Sequence, residues 1–198
     1  GTPQVNIQTP SAGGVSRNTF SQFDVDQNGV ILNNSHKNAA TQLGGMVAAN
    51  PWLAKGEAKI ILNEVNARNP SRLNGFIEVA GQKADVVIAS PSGISCDGCG
   101  FINAGRATLT TGTAQMQNGQ ITGYRVEQGE IHINGNGMNA TGQSHTDIIG
   151  RAVQVNAAIY AQDLRVTTGR NSVDAAHEQI TALADNGTAK PSLALDVS

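Results

Sequence analysis

The sequence predicts an all-β protein whose chain coils repeatedly about one axis, a parallel β-helix. Short β-branched runs bounded by Gly, Asn and Ser recur along the chain, whereas amphipathic helical patterning is scarce before residue 172. These strand-and-turn units return at intervals of about 20 residues, which is typical of a solenoid whose coils stack on one another. An aromatic content of 4% suits the thin interior of such a rod. An antiparallel sandwich is the alternative, because it also has short strands and clustered turns.

The predicted strands have β rather than α length. They are Ala58–Leu62, Phe76–Val79, Ala84–Ile88, Ala107–Thr110, Ile131–Ile133, Ala152–Val155 and Leu164–Val166. Residues 172–186 differ, because a candidate N-cap at Ser172 precedes an apolar face and a terminating Gly187. We expect either one short helix over 172–186 or an excursion from the rod.

A Gly-x-Ile step marks the coils and begins at Gly29, Gly75, Gly100, Gly119 and Gly129. The intervals of 46, 25, 19 and 10 residues fit a coil of about 20 residues with insertions and one half-step. A second echo relates Leu109–Gly112 to Val166–Gly169, and we interpret this offset of 57 residues as three coils. The whole chain would then make about eight or nine coils.

Composition argues against two classes of partner. Thirteen basic and 15 acidic side chains give a net charge of −2, so no basic excess is present to neutralise phosphates, and we expect no nucleic-acid partner. No stretch approaches the ~18 uninterrupted apolar residues of a membrane helix, so we expect no stable membrane insertion. The first residues lack the basic and apolar regions of a signal peptide, so such a peptide was either removed or never present.

Cys96 and Cys99 have the spacing of a zinc half-site or a redox motif. Zinc needs four ligands and no second Cys pair exists, while a thioredoxin-like site needs a helix where Gly100–Ile102 has strand character. We favour a local disulfide that pins a Gly-rich corner, which indicates an oxidising compartment.

Two further motifs are weak. Asp24–Gly29 copies the first half of an EF-hand loop, but Ser35 stands where a bidentate Glu is needed, so a polar strand and turn is favoured over a calcium site. Gly135–Ala140 fits a loose dinucleotide-binding pattern, yet no helix start follows it, and a solenoid corner explains it better. We predict no metal and no cofactor.

Acids and bases do not form a catalytic pattern in the sequence. Two groups have members that we expect to lie one coil apart: Asp147, Asp163 and Arg165, and Glu127, Glu130 and His132. Neither group differs from an ordinary solvated face, so we predict no catalytic residues and no enzyme activity.

Two turns are the candidate binding features. They are formed by Asn50, Pro51, Trp52 and Leu53, and by Ser90, Pro91, Ser92, Gly93 and Ile94. Asn or Ser at the first position accepts a local hydrogen bond, and Pro presets φ at the next. Such turns serve either to aim an apolar residue or, with the only Trp of the chain, as a docking point.

Several segments in order resemble the N-terminal two-partner-secretion (TPS) domain of filamentous-haemagglutinin-like exoproteins. They are Gly14–Asn18, Gly29–Ser35, Ile61–Val65, Ala84–Ala89, Gly100–Asn103 and Ala107–Gly112. The family's turn motifs, Asn-Pro-Asn-Leu and Asn-Pro-Asn-Gly-Ile, correspond to residues 50–53 and 90–94, with Trp52, Ser90 and Ser92 in place of Asn. The segment Cys96–Asn103 resembles the branch of contact-dependent growth-inhibition toxins.

The resemblance implies a right-handed parallel β-helix with capping strands, in which residues 1–198 form a single TPS domain, the N-terminal fragment of a much larger exoprotein. It implies passage through the periplasm to the bacterial cell surface, and recognition by the periplasmic domains of an outer-membrane transporter. The two turn motifs would carry that recognition, and we expect the domain to be a monomer. The alternative function is an adhesin or haemagglutinin rod that binds host cells, neighbouring cells or glycans.

Overall fold

The computed structural model describes residues 1–184 and 193–196, which are almost entirely β apart from one 3₁₀ turn at Pro51–Leu53. The first strands are β1 Gln4–Asn6, β2 Val15–Phe20, β3 Val30–Asn34, β4 Ala39–Thr41, β5 Gly45–Val47, β6 Ile60–Val65, β7 Ser71–Leu73, β8 Phe76–Gly81, β9 Ala84–Ala89, β10 Ile94–Ile102 and β11 Ala104–Thr110. The remaining strands are β12 Thr113–Gln117, β13 Gln120–Val126, β14 Glu130–Ala140, β15 His145–Gly150, β16 Ala152–Val155, β17 Ile159–Ala161, β18 Leu164–Thr168, β19 Asn171–Asp174, β20 Ile180–Ala182 and β21 Leu193–Leu195. None of the helical segments in these two ranges has the length and apolarity needed to cross a bilayer.

Two parallel sheets wrap around one interior. The six-stranded sheet has the order β18-β15-β11-β9-β6-β2, and the nine-stranded sheet follows the path β1-β3-β8-β10-β14-β16-β21. Neighbours in both sheets run parallel, so each hydrogen-bonded pair joins one coil to the next. This topology confirms the parallel β-helix and rules out the antiparallel sandwich.

The nine-stranded sheet turns a corner within its longest strands. β10 pairs with β7 through Ile94–Cys96 and with β8 through Gly100–Ile102. β14 makes the same change of partner, from β16 to β17. Gly135 and Gly137 lie at its bend with φ of +56° and +73°, a left-handed backbone that favours glycine. The Gly135–Ala140 motif is therefore a solenoid corner, as predicted.

The interior is filled by one inward-facing aliphatic side chain after another. Ile88, Leu109 and Ile148 are successive register partners across the six-stranded sheet, and all three are fully buried. Burying each such side chain contributes about 1.5–3 kcal/mol, so the stack of aliphatic residues holds the coils together.

Two insertions lengthen the coils beyond the predicted 20 residues. The hairpin β4–β5 and the 3₁₀ turn lie between β3 and β6, and the hairpin β12–β13 lies between β11 and β14. Asn118 and Gly119 form the turn of the second hairpin with φ of +52° and +73°, so the prediction that Gly119 begins a coil is wrong. Leu109 pairs with Ile148 and Ile148 with Val166, so the 57-residue echo spans two coil steps rather than three.

The same insertions explain why the expected number of coils was too high. The six-stranded sheet contains one strand per coil, and the hairpins occupy residues that would otherwise form further coils. At about 4.8 Å between strands, six stacked strands span roughly 25 Å.

The helix predicted near 172–186 is wrong over its described part, and the alternative of an excursion is right. β19 and β20 join β12 and β13 in an antiparallel four-stranded sheet, while residues 185 and 186 lie outside the described residues. Asn171 and Val173 are buried and Ser172 is exposed, which is the two-residue period of a strand. Val173 packs with Tyr124 and Val87, so this sheet covers the outer side of the six-stranded sheet.

Candidate functional site

The first turn is anchored by a buried asparagine. The Asn50 side-chain Nδ2 donates to the carbonyl oxygens of Ile7, at 3.0 Å, and Asn33, at 2.9 Å, while its Oδ1 accepts from the Trp52 amide at 2.9 Å. The side chain thus caps the 3₁₀ turn and joins it to two other segments of the rod.

The two apolar residues of this turn point in opposite directions. Leu53 is completely buried, whereas 54% of Trp52 is exposed. Pro51 is the first residue of the 3₁₀ turn, and Thr9 Oγ1 donates to the Trp52 carbonyl at 2.8 Å. The indole is therefore carried on a backbone that is held from both sides.

The second turn is closed by the Gly93 amide, which donates to the Ser90 carbonyl at 2.9 Å. Ser90 is fully buried, and the Ser92 hydroxyl donates to the Ala67 carbonyl. Gly93 has φ of +119°, and a Cβ there would lie 2.9 Å from the Glu130 carbonyl oxygen, so glycine is required. The turn directs Ile94 into the core as the first residue of β10.

The structure does not bring the two turns together. The first lies beside the end of β3 in the nine-stranded sheet, since the Asn50 amide donates to the carbonyl of Ser35, directly after β3. The second follows β9 of the six-stranded sheet. Pro91 is half-buried in a separate groove of about 280 Å³, whose lining also includes Arg17, Glu64 and Thr113. Any partner that binds both turns must therefore contact two faces of the rod.

Cys96 and Cys99 form a disulfide with a Cα–Cα distance of 5.4 Å. The bond lies where β10 bends between its two partner strands, which confirms the predicted disulfide at a Gly-rich corner. Asp97 Oδ1 accepts from the Asn136 amide at 2.8 Å, so this corner is also fastened to the corner of the following coil.

The structure buries one of the acids that the sequence placed on a solvated face. Asp147 and Arg165 are register partners on β15 and β18, one coil apart as expected, but only 1% of the Asp147 side chain is exposed. Arg106 donates to Asp147 from Nε, at 2.7 Å, and from Nη2, at 2.9 Å. Thr108 Oγ1 donates to it at 2.8 Å. The expectation of an ordinary exposed group is wrong for this residue.

His177 completes the network from outside the rod. Its Nδ1 lies 2.9 Å from Asp147 Oδ1, and its Nε2 contacts the Thr167 hydroxyl. The carbonyls of Ala176 and His177 accept from Arg106 and Arg165. The order hydroxyl, imidazole, carboxylate is that of a nucleophilic triad, but His177 is buried and the network fastens the excursion onto the six-stranded sheet. No local sequence signal indicates it, because its members come from separate elements.

The second group of predicted acids and bases lies at the surface, with Glu127 and Glu130 exposed and His132 half-buried. The His132 ring and Glu130 carboxylate lie 2.8 Å apart, but both belong to β14, so they share one coil instead of lying one coil apart. Glu127 pairs with Arg125 at 3.1 Å on the neighbouring loop.

The Asp147 network makes the free energy of unfolding depend on pH in the acid range. Burial raises the pKa of Asp147, but hydrogen bonds from His177, Arg106 and Thr108 outweigh it and lower the pKa to about 2 from 3.8. Because the folded pKa lies below the unfolded one, this contribution is complete above about pH 5 and is lost as the pH falls towards 2.

We expect the stability difference between the natural protein and Asp147→Asn to shrink by about 2 kcal/mol between pH 5 and pH 2, measured by urea denaturation. Asp163→Asn, at a side chain that is 40% exposed, should show no such pH dependence. A constant Asp147→Asn difference over this range would contradict the assignment.

Comparison with known proteins identifies the family. A model of the TPS secretion domain matches residues 1–197. The chain belongs to the TPS secretion domain family. This TPS domain is 65% identical over 198 residues to "Toxin CdiA" of Yersinia pestis and 46% identical over 200 residues to "tRNA nuclease CdiA-2" of Burkholderia pseudomallei. All of this chain is covered in both matches, but it spans only 6% of the length of either relative.

Among solved structures, the filamentous hemagglutinin secretion domain superposes on this TPS domain with a TM-score of 0.92 at 36% identity. The match covers 98% of this chain and 68% of that one. The resemblance predicted from the sequence segments is therefore confirmed in both family and fold.

Proposed function

We propose that this domain engages the periplasmic domains of a cognate outer-membrane transporter and so starts export of a larger exoprotein to the cell surface. The match of the TPS secretion domain model to residues 1–197 carries this proposal. Relatives named CdiA, of which the chain spans 6%, support the proposal that this domain is part of a large contact-dependent growth-inhibition protein.

The domain itself acts without catalysis. Several relatives are named tRNA nucleases, and we assign any such activity to the part of the exoprotein outside this domain. The Asp147 network supports this assignment, because Arg106 and Thr108 bind Asp147 within the six-stranded sheet and His177 fastens the excursion to it.

Trp52 is the residue best placed to bind the transporter. It exposes a large aromatic surface on a turn that Asn50 and Thr9 hold in place, so little conformational freedom is lost on binding. Exposed aromatic residues on rigid backbone are frequent binding hot spots. Pro91, in its groove on another face, offers the second contact.

Replacing Trp52 by alanine tests this contact. We expect Trp52→Ala to weaken binding to the purified periplasmic domains at least tenfold, about 1.4 kcal/mol, because a hot-spot side chain is lost. The circular dichroism spectrum and thermal midpoint of this variant should be unchanged, because more than half of Trp52 is exposed to solvent. Binding is measured by biolayer interferometry, and export of the full-length protein by its appearance at the cell surface.

Tyr160→Ala is the matched control, because Tyr160 on β17 is an aromatic residue of similar exposure, 63% against 54% for Trp52. It should leave transporter binding and export intact. If Trp52→Ala binds the periplasmic domains as tightly as the natural domain does, residues 50–53 do not form the transporter contact. A domain that binds cells or glycans but not the periplasmic domains would favour the adhesin alternative.

A further inference from the structure

The sulfur atoms of the disulfide are sealed inside the closed rod. Cys96 is 0% exposed and Cys99 is 1% exposed, and both belong to the main core. On one side of β10 lie β7 and β8 of the preceding coil, and on the other lies β14 of the following coil. A reactive disulfide or thiol must be accessible to a third sulfur, and these are not.

The strand that covers the disulfide on the second side, β14, comes later in the chain than β10. Cys96 is the register partner of Ile133, and Cys99 is the register partner of Met138. The hydrogen bond from the Asn136 amide to Asp97 fastens the same two coils. A chain that has folded only as far as β10 therefore leaves the pair uncovered on this side.

We propose that the Cys96–Cys99 bond is formed before β14 closes over it, by exchange with a disulfide-donating oxidoreductase that acts on the unfolded chain. One cysteine thiolate attacks the donor disulfide, which gives a mixed disulfide and releases one donor thiolate. The second cysteine thiolate attacks the sulfur of the first and releases the other donor thiolate. The chain loses two electrons and two protons, and the donor disulfide is reduced to a dithiol.

Once β14 has stacked on β10, the Cys96–Cys99 disulfide no longer exchanges with other thiols. The ring between Cys96 and Cys99 is too short to restrict the unfolded chain strongly, so its main effect is local. It holds the bend of β10, the strand on which β14 stacks, in place before stacking begins. Oxidation of the two cysteines is thus an early step of folding. In the folded domain the disulfide neither accepts nor donates in thiol exchange.

The rate of reduction by dithiothreitol tests the seal on the oxidised, folded domain. We expect reduction in native buffer to be on the order of 100-fold slower than in concentrated urea, because the coils must open first. Alkylation and mass spectrometry follow the free thiols. Equal rates in the two solvents would overturn the proposal.

Gly137→Ala and Gly142→Ala form a matched pair for the same measurement. At Gly137, φ is +73° and an added Cβ would lie 2.1 Å from the Ala158 carbonyl oxygen, whereas a Cβ at Gly142 meets no atom within 4 Å. Reduction in native buffer should accelerate in Gly137→Ala, whose covering strand is strained, and remain slow in Gly142→Ala. Equal acceleration in both variants would contradict the role of β14 as the cover.

The order of events is tested by adding glutathione disulfide to reduced chain either before or after transfer from urea to native buffer. Oxidation should be fast in the first case. In the second, folded molecules should oxidise slowly, and any molecules that fail to fold without the bond should have thiols that alkylate at once. Fast oxidation of chain that is already folded would refute the order.

Discussion

Replacing Asp147 by alanine is expected to lower the free energy of unfolding by about 3–5 kcal/mol, as found when one partner of a buried ion pair is removed. Asp147 accepts from Arg106 and Thr108 and contacts His177, so its loss leaves a guanidinium and two further polar groups without their partner. Urea denaturation followed by circular dichroism measures the change. Proteolysis of the excursion should accelerate as well, because His177 fastens it to the rod.

Asp163→Ala is the control for this prediction, since Asp163 also pairs with a cation of the same face but is 40% exposed. Exposed ion pairs contribute about 0–1 kcal/mol, so this variant should be nearly as stable as the natural protein. If Asp147→Ala costs no more than Asp163→Ala, the network does not hold the excursion in place.

The repeating part of the fold was predictable because its signals are local. Ala152–Val155 is a strand at the predicted bounds, and Ala84–Ala89 extends the predicted one by a single residue. β-branched residues between Gly and Asn corners give both strand propensity and a period that sequence reveals directly. The disulfide was predictable because Cys96 and Cys99 stand three residues apart, beside Gly98 and Gly100, with no second Cys pair for zinc and no helix for a redox site.

What sequence did not reveal depends on contacts between distant segments. The step at Gly119 has the same composition as a coil corner, and only the pairing of β12 with β13 shows that it closes a hairpin. Asp147 looks like a surface acid until Arg106, 41 residues earlier, is placed beside it. The 172–184 segment has helical patterning, but packing of Val173 against the six-stranded sheet overrides it.

The candidate site was predictable in position but not in the role of each residue. The two turns stand out in the sequence through their Asn-Pro and Ser-Pro pairs. The structure separates their residues into anchors, such as Asn50 and Ser90, and exposed groups, such as Trp52. Substitutions of neighbouring residues in one motif should therefore have different effects: a change at Asn50 lowers stability, and a change at Trp52 weakens transporter binding.

Replacing Asn50 by alanine should lower the free energy of unfolding by about 3–5 kcal/mol, because unpaired buried polar groups each cost about 1–3 kcal/mol. The substitution removes the side-chain donor to the buried carbonyls of Ile7 and Asn33 and the side-chain acceptor of the Trp52 amide. Transporter binding should fall only in proportion to the unfolded fraction, unlike the direct loss in Trp52→Ala. Asn38→Ala, at an exposed Asn with one bond to the Ala49 amide, is the control and should cost less than 1 kcal/mol, roughly one neutral hydrogen bond.

Asn50→Asp separates capping from bridging at the same position. Aspartate can still accept from the Trp52 amide, so a purely capping role predicts little loss of stability. It has no Nδ2 to donate to the carbonyls of Ile7 and Asn33, and it would place a buried carboxylate against them. We therefore expect Asn50→Asp to destabilise the domain at least as much as Asn50→Ala at neutral pH. A fully stable Asn50→Asp would show that the cap, rather than the bridge between segments, is what the turn requires.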